Sequence, residues 1–114
     1  MNLSYEDVGD VRIVTVGEAR VDAAIAIQFK DEMRGITEDG PARVVLDMSS
    51  VEFLDSSGLG AVVAAMKQVG PGSTLELAGL TPTVAKVFHL TRMDTIFPIH
   101  ASTAAAMTKL ANAG

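Results

Sequence analysis

Apolar residues along this chain fall into short β-branched runs separated by stripes at helical spacing. Residues 3–8 alternate weakly and are expected to form an edge strand. Val11-Arg12-Ile13-Val14-Thr15-Val16 is the first firm strand pattern, and Gly9-Asp10 before it suits a two-residue hairpin of type I′ or II′. Tyr5, the single tyrosine, is expected to pack on that sheet rather than to touch a ligand. Residues 17–22 read as a bend, with Asp22 as N-cap of a helix over residues 23–37. Ile25, Phe29, Met33 and Ile36 make one apolar stripe on it, and Lys30, Asp31, Glu32 and Arg34 fall largely outside that stripe. Glu38-Asp39-Gly40-Pro41 ends the helix with breakers.

Residues 43–48, Arg-Val-Val-Leu-Asp-Met, lack a period-2 alternation, as expected of a central strand covered on both faces. A later helix over residues 59–69 has Leu59, Val62, Val63, Met66 and Val69 as its core stripe. Its start is expected to present Ser57, Ala61 and Ala64 as a surface with few long charged side chains. After a turn at Pro71-Gly72-Ser73, residues 74–78 alternate as a strand. Thr81-Pro82 then opens a helix with cap and proline in place, directing Val84, Val87, Phe88 and Leu90 inward. Residues 95–99 read as a short strand near an edge, because Pro98 removes a donor. Ser102 or Thr103 caps a last helix through Ala104, Met107 and Leu110, fraying by Ala113-Gly114.

Between the central strand and the most apolar helix stands Val51-Glu52-Phe53-Leu54-Asp55-Ser56-Ser57-Gly58-Leu59-Gly60. Asp55, Ser56 and Ser57 are all good cap types, since a short side-chain oxygen accepts from free first-turn amides. No Glu or Gln follows at the capping-box position, so the pattern leaves open which of the three is used. Gly58 and Gly60 each weaken a helix start by roughly 0.5–1 kcal/mol. Two such residues together indicate tight packing or close approach from outside.

Composition narrows what this arrangement can do. The chain of 114 residues, 48% hydrophobic and 20% charged, is a single domain over residues 1–114 with a real core. Nine basic against fourteen acidic residues, net −5, disfavour nucleic acid as a partner, because no Lys/Arg patch exists to neutralise phosphates. The absence of cysteine excludes disulfides, thiolate nucleophiles and thiolate metal sites. No run of about 18 apolar residues is present for membrane insertion, and residues 1–9 lack the basic start and apolar core of a signal peptide. A cytoplasmic protein is expected.

Catalytic chemistry lacks its parts. His89 and His100, the two histidines, sit in different late elements without ligand-spaced partners and are expected to be surface or boundary residues. Neither glycine-rich phosphate-loop pattern occurs. No enzyme activity, cofactor or metal is expected. A serine at the tip of a helix remains. The bland reading makes it a cap; the sharper one makes it a phosphate acceptor.

Asp55-Ser56-Ser57-Gly58-Leu59-Gly60, preceded by Phe53-Leu54 and an apolar strand, resembles the signature of the STAS domain, and within it the bacterial anti-sigma factor antagonists. The order β-β-α-β-α-β-α-β-α likewise resembles the STAS fold, an α/β domain with a mixed sheet of about five strands and about four helices. The resemblance implies that Ser56 is phosphorylated by a partner serine kinase, with Asp55 and Ser57 assisting recognition and local hydrogen bonding. The bend at Ala19-Arg20-Val21-Asp22-Ala23-Ala24 resembles the family's G-x-L-D-x-x-T-A loop, which lies beside the serine and helps contact the kinase. Arg20, Asp22, Asp55, Ser57 and Gly58 are therefore the expected partner-binding residues. Ala19 stands at the glycine position, Ile25 replaces the common threonine, and Gly79 stands where many relatives have asparagine. These departures bear on the partner's identity more than on the fold.

By resemblance, the unphosphorylated protein binds an anti-sigma factor serine/threonine kinase of the histidine-kinase-like ATPase type and releases a sigma factor. A phosphoserine phosphatase reverses the modification. The alternative is a non-switching STAS subunit of a signalling assembly or lipid transporter complex; a small-molecule-binding STAS domain would be a third class. The free protein is expected to be a monomer that forms heterocomplexes.

Overall fold

A computed structural model describes residues 1–113, with side chains through Thr108. The elements, in order, are β1 Leu3–Val8, β2 Val11–Val16, β3 Arg20–Val21, α1 Ala26–Thr37, β4 Arg43–Asp47, β5 Phe53–Leu54, α2 Ser56–Gln68, β6 Thr74–Ala78, α3 Pro82–Leu90, β7 Ile99–His100 and α4 Thr103–Ala113, with a 3-10 turn at Met93–Thr95. Five strands form a mixed sheet in the order β1-β2-β4-β6-β7, antiparallel between β1 and β2 and parallel elsewhere. A two-residue parallel pair, β3 with β5, stands apart from it. The expected STAS architecture is therefore present.

The hairpin closes at Gly9 with φ 59° while Asp10 keeps a negative φ, which selects type II′ over I′. Each crossover β2–α1–β4, β4–α2–β6 and β6–α3–β7 then steps the same way along the sheet. Right-handed crossovers place all three helices on one face. There Val14, Val16, Val44, Leu46, Leu75 and Leu77 pack with Phe29, Met33, Val62, Val84 and Phe88. α4 covers the other face, closing Val11, Val45 and Ala78 under Ala106. The central strand β4 is thus apolar on both faces, which is why its sequence does not alternate.

Several expectations are corrected. The first helix starts at Ala26, three residues later than its cap pattern suggested. Asp22 instead accepts from Ala24 N–H at 3.0 Å within a turn. α2 buries Gly58, Ala61, Val62 and Ala65, while Leu59, Val63, Met66 and Val69 only flank the core. Ala61 is thus interior, because small residues let α2 approach its neighbours closely. Leu90 points outward at the end of α3, 70% exposed. Residues 95–98 form no strand: the chain leaves the 3-10 turn, Phe97 buries edge-on against Phe88, and pairing starts only at Ile99. Thr81 precedes α3 as expected, but its hydroxyl donates to Val51 O at 2.8 Å instead of capping. Ser102 caps α4, accepting from Ala105 N–H at 3.0 Å. The inward placement of Leu110 and the state of Gly114 lie outside the described residues.

His100 is the boundary residue expected, partly buried, and its Nε2 donates to Glu76 Oε1 at 2.7 Å. Glu76, on the α4 face of β6, also receives Arg43 Nε and Nη2 at 2.5 and 2.7 Å and the Thr74 hydroxyl at 3.2 Å. Burial pushes the Glu76 carboxyl up, but the hydrogen bonds from Arg43 and His100 outweigh it and hold it below the usual range. Arg43 further donates to Ala106 O at 3.0 Å, tying α4 to the sheet.

Candidate functional site

The serine loop is built by α2 and the short strand before it. Asp55 is the cap that the sequence left undetermined. It is extended at φ −95°, and its Oδ1 accepts from Gly58 N–H at 2.8 Å. Its backbone carbonyl accepts from Leu59 N–H at 2.9 Å, opening the helical ladder. Ser56 and Ser57 are therefore the first two helical residues, both exposed, and neither hydroxyl has a partner among the described residues.

The bend at residues 19–24 lies against this loop. Ala19 O accepts from the amides of Glu52 and Phe53 at 2.7 and 3.1 Å, and β3 pairs with β5 so that Arg20 faces Phe53 and Val21 faces Leu54. The second oxygen of Asp55 accepts from Ala23 N–H at 3.2 Å. One carboxylate thus caps α2 and fastens the bend to it. The structure brings together all six residues singled out from the sequence: Arg20, Asp22, Asp55, Ser56, Ser57 and Gly58.

Their surroundings differ. Gly58 is buried directly beneath the Val21 carbonyl, and a Cβ there would lie 2.0 Å from that oxygen. Its lack of a side chain is what lets β3 and α2 meet, so tight packing accounts for it. Gly60, by contrast, faces open space. Asp22 accepts from Ala24 N–H and, at 3.4 Å, from Arg20 Nε. The guanidinium of Arg20 stacks on Phe53, 4.1 Å from the ring centroid. Exposed Ala23, Ala24 and Ile27 extend the surface along the start of α1.

The Arg20–Phe53 stack and the dual role of Asp55 escaped the sequence. Two-residue strands are too short to show a period, and their pairing joins segments far apart in the chain. Among the described residues no group of three or more His, Asp or Glu side chains could hold a metal ion. No helix there is long and apolar enough to cross a membrane.

Residues 2–106 match the STAS domain family. The chain is 31% identical over 107 residues to BtrV of Bordetella bronchiseptica, covering 93% of this chain and 91% of that protein. It is 30% identical over 104 residues to the anti-sigma-B factor antagonist of Listeria monocytogenes, covering 87% and 90%. The crystal structure of an anti-sigma factor antagonist from Mycobacterium paratuberculosis superposes with a TM-score of 0.85 at 28% identity, over 95% of this chain and 92% of that one.

Proposed function

Since this chain belongs to the STAS domain family and within it to the anti-sigma factor antagonists, we propose that its protein-binding role is switched by phosphorylation of Ser56. One observation carries the reading. Asp55 does the capping, so the Ser56 hydroxyl stands exposed, and unpaired among the described residues, at the head of a 13-residue helix. A serine needed only as a cap would be using its oxygen on the first-turn amides.

The modification is a transfer of the γ-phosphoryl group of ATP to Ser56 Oγ, with loss of the hydroxyl proton and release of ADP. The enzyme is a partner serine/threonine kinase of the histidine-kinase-like ATPase type, itself the anti-sigma factor; a phosphoserine phosphatase restores the hydroxyl. The phosphate adds about −1.5 to −2 charges. At a helix N-terminus the free amides and the dipole accommodate such an anion, so the fold survives. A partner seated on the tip meets a new desolvated charge beside Asp55, and losing a close interfacial pair costs about 2–5 kcal/mol. Binding switches while structure stays. The unphosphorylated form engages the kinase and frees the sigma factor. In this reading the free protein is a cytoplasmic monomer.

Peptide mass spectrometry of protein from its native cells, with and without phosphatase, tests this. Phosphate on Ser56 that the phosphatase removes, with tight kinase binding by the unphosphorylated form alone, is the expected result. Phosphate confined to Ser57 moves the site by one residue. No phosphate under any growth condition leaves a constitutive interaction module.

A further inference from the structure

Within residues 17–25 and 51–60 Arg20 is the single cation, set among Glu18, Asp22, Glu52 and Asp55. It is loosely held. Its side chain is 61% exposed, and its one ion pair among the described residues is Nε to Asp22 Oδ2 at 3.4 Å, beyond the usual N–H···O range. Asp55 makes no ion pair with it among the described residues, and each oxygen of that carboxylate accepts from a backbone amide instead. What positions Arg20 is the Phe53 ring, 4.1 Å below the guanidinium and 37% exposed. The β3–β5 register sets the two opposite each other.

Phe53 and Ser56 are three residues apart, at most about 11 Å along an extended chain, and both are exposed. The stack therefore holds the arginine side chain over the segment that carries the serine, and among the described residues its two terminal nitrogens make no hydrogen bond.

We infer that Arg20 reads the charge state of Ser56: it stacks on Phe53 when the serine is unmodified, and it leaves the ring to clamp the phosphate when the serine is phosphorylated. The inference rests on the phosphorylation reading above. A guanidinium offers a phosphate two parallel charge-assisted hydrogen bonds, stronger than one long contact to Asp22. The Ser57 N–H, left free by the cap, adds a further donor. Phosphorylation then has two surface consequences: a new anion at the helix tip, and an uncovered Phe53 ring where a cation had been.

The test uses the full chain carrying phosphoserine installed at position 56 by genetic-code expansion, so it does not depend on any kinase or on modification in cells. A 31P NMR titration reads the second phosphate pKa. The expected value in the otherwise unchanged protein is lower than in R20Q by about half a unit or more. R20K, which keeps the charge but not the fork, falls between them. Independently, the Arg20 Nε–H resonance is expected to be ring-current shifted in the unphosphorylated protein and to lose that shift on phosphorylation. F53L should abolish the ring-current shift while leaving the phosphate pKa depressed. Equal phosphate pKa values with and without Arg20, or an Nε–H signal that phosphorylation leaves in place, overturn the inference. Either result would leave the phosphorylation reading standing, because that reading is decided separately, by phosphate on Ser56 in native cells and by kinase binding of the unphosphorylated form.

Discussion

At the scale of single residues, the two glycines of the serine loop have opposite meanings although they are two positions apart. Gly58 sits under the Val21 carbonyl, so G58A must move backbone against backbone. A loss of about 1–3 kcal/mol is expected, read by chemical denaturation. Gly60 has open space around it and no positive φ. G60A should therefore stabilise by about 0.5–1 kcal/mol in the same measurement. Asp55 holds two amides from different segments. D55A should cost about 1–2 kcal/mol, and amide exchange should quicken at Ala23 as well as at Gly58. An effect limited to Gly58 would mean that the link across the loops carries no energy.

Among the elements, α4 depends most on a buried charge. Arg43 neutralises Glu76 and at the same time holds the Ala106 carbonyl. R43M removes the guanidinium and leaves the buried carboxylate only its His100 and Thr74 hydrogen bonds, and a loss of about 3 kcal/mol is expected, with faster amide exchange through α4. The same site predicts an acid response. The Glu76 carboxyl titrates below its ordinary value in the folded protein. The unfolded chain therefore takes up this proton first as the pH falls. The stability owed to Glu76 is complete above its unfolded value, about 4.3, and is lost as the pH falls through the lower folded value. Denaturation of wild type and E76Q followed from neutral to acid pH should show a gap that narrows below about pH 4.

For the whole molecule, the arrangement separates stability from signalling. The helices that build the main core bury their apolar faces on one side of the sheet, while the serine tip bears no part of that core. S56D should therefore unfold within about 0.5 kcal/mol of wild type and yet lose binding to the unphosphorylated-state partner in calorimetry. S56A should retain binding and no longer respond to ATP. Loss of stability in S56D matching its loss of binding would show that the tip is structurally required.

Much of this was legible in the chain alone. The strand and helix order, the two-faced central strand, the turn at Gly9 and the strand–loop–helix setting of Ser56 are all carried by neighbours within a few residues. Local periodicity and turn chemistry suffice to show them. Tertiary structure alone decided that Asp55 is the cap, that Ala61 rather than the larger Leu59 faces the core, and that β3 and β5 lock the bend to the serine loop. It also decided that Glu76 lies inside with Arg43 and His100. The Asp55 bond to Ala23 spans 32 positions and the Glu76 bond to Arg43 spans 33. Pairings at that separation leave no local period, because each partner alone reads as an ordinary polar residue, and only the packed sheet determines which of them meet.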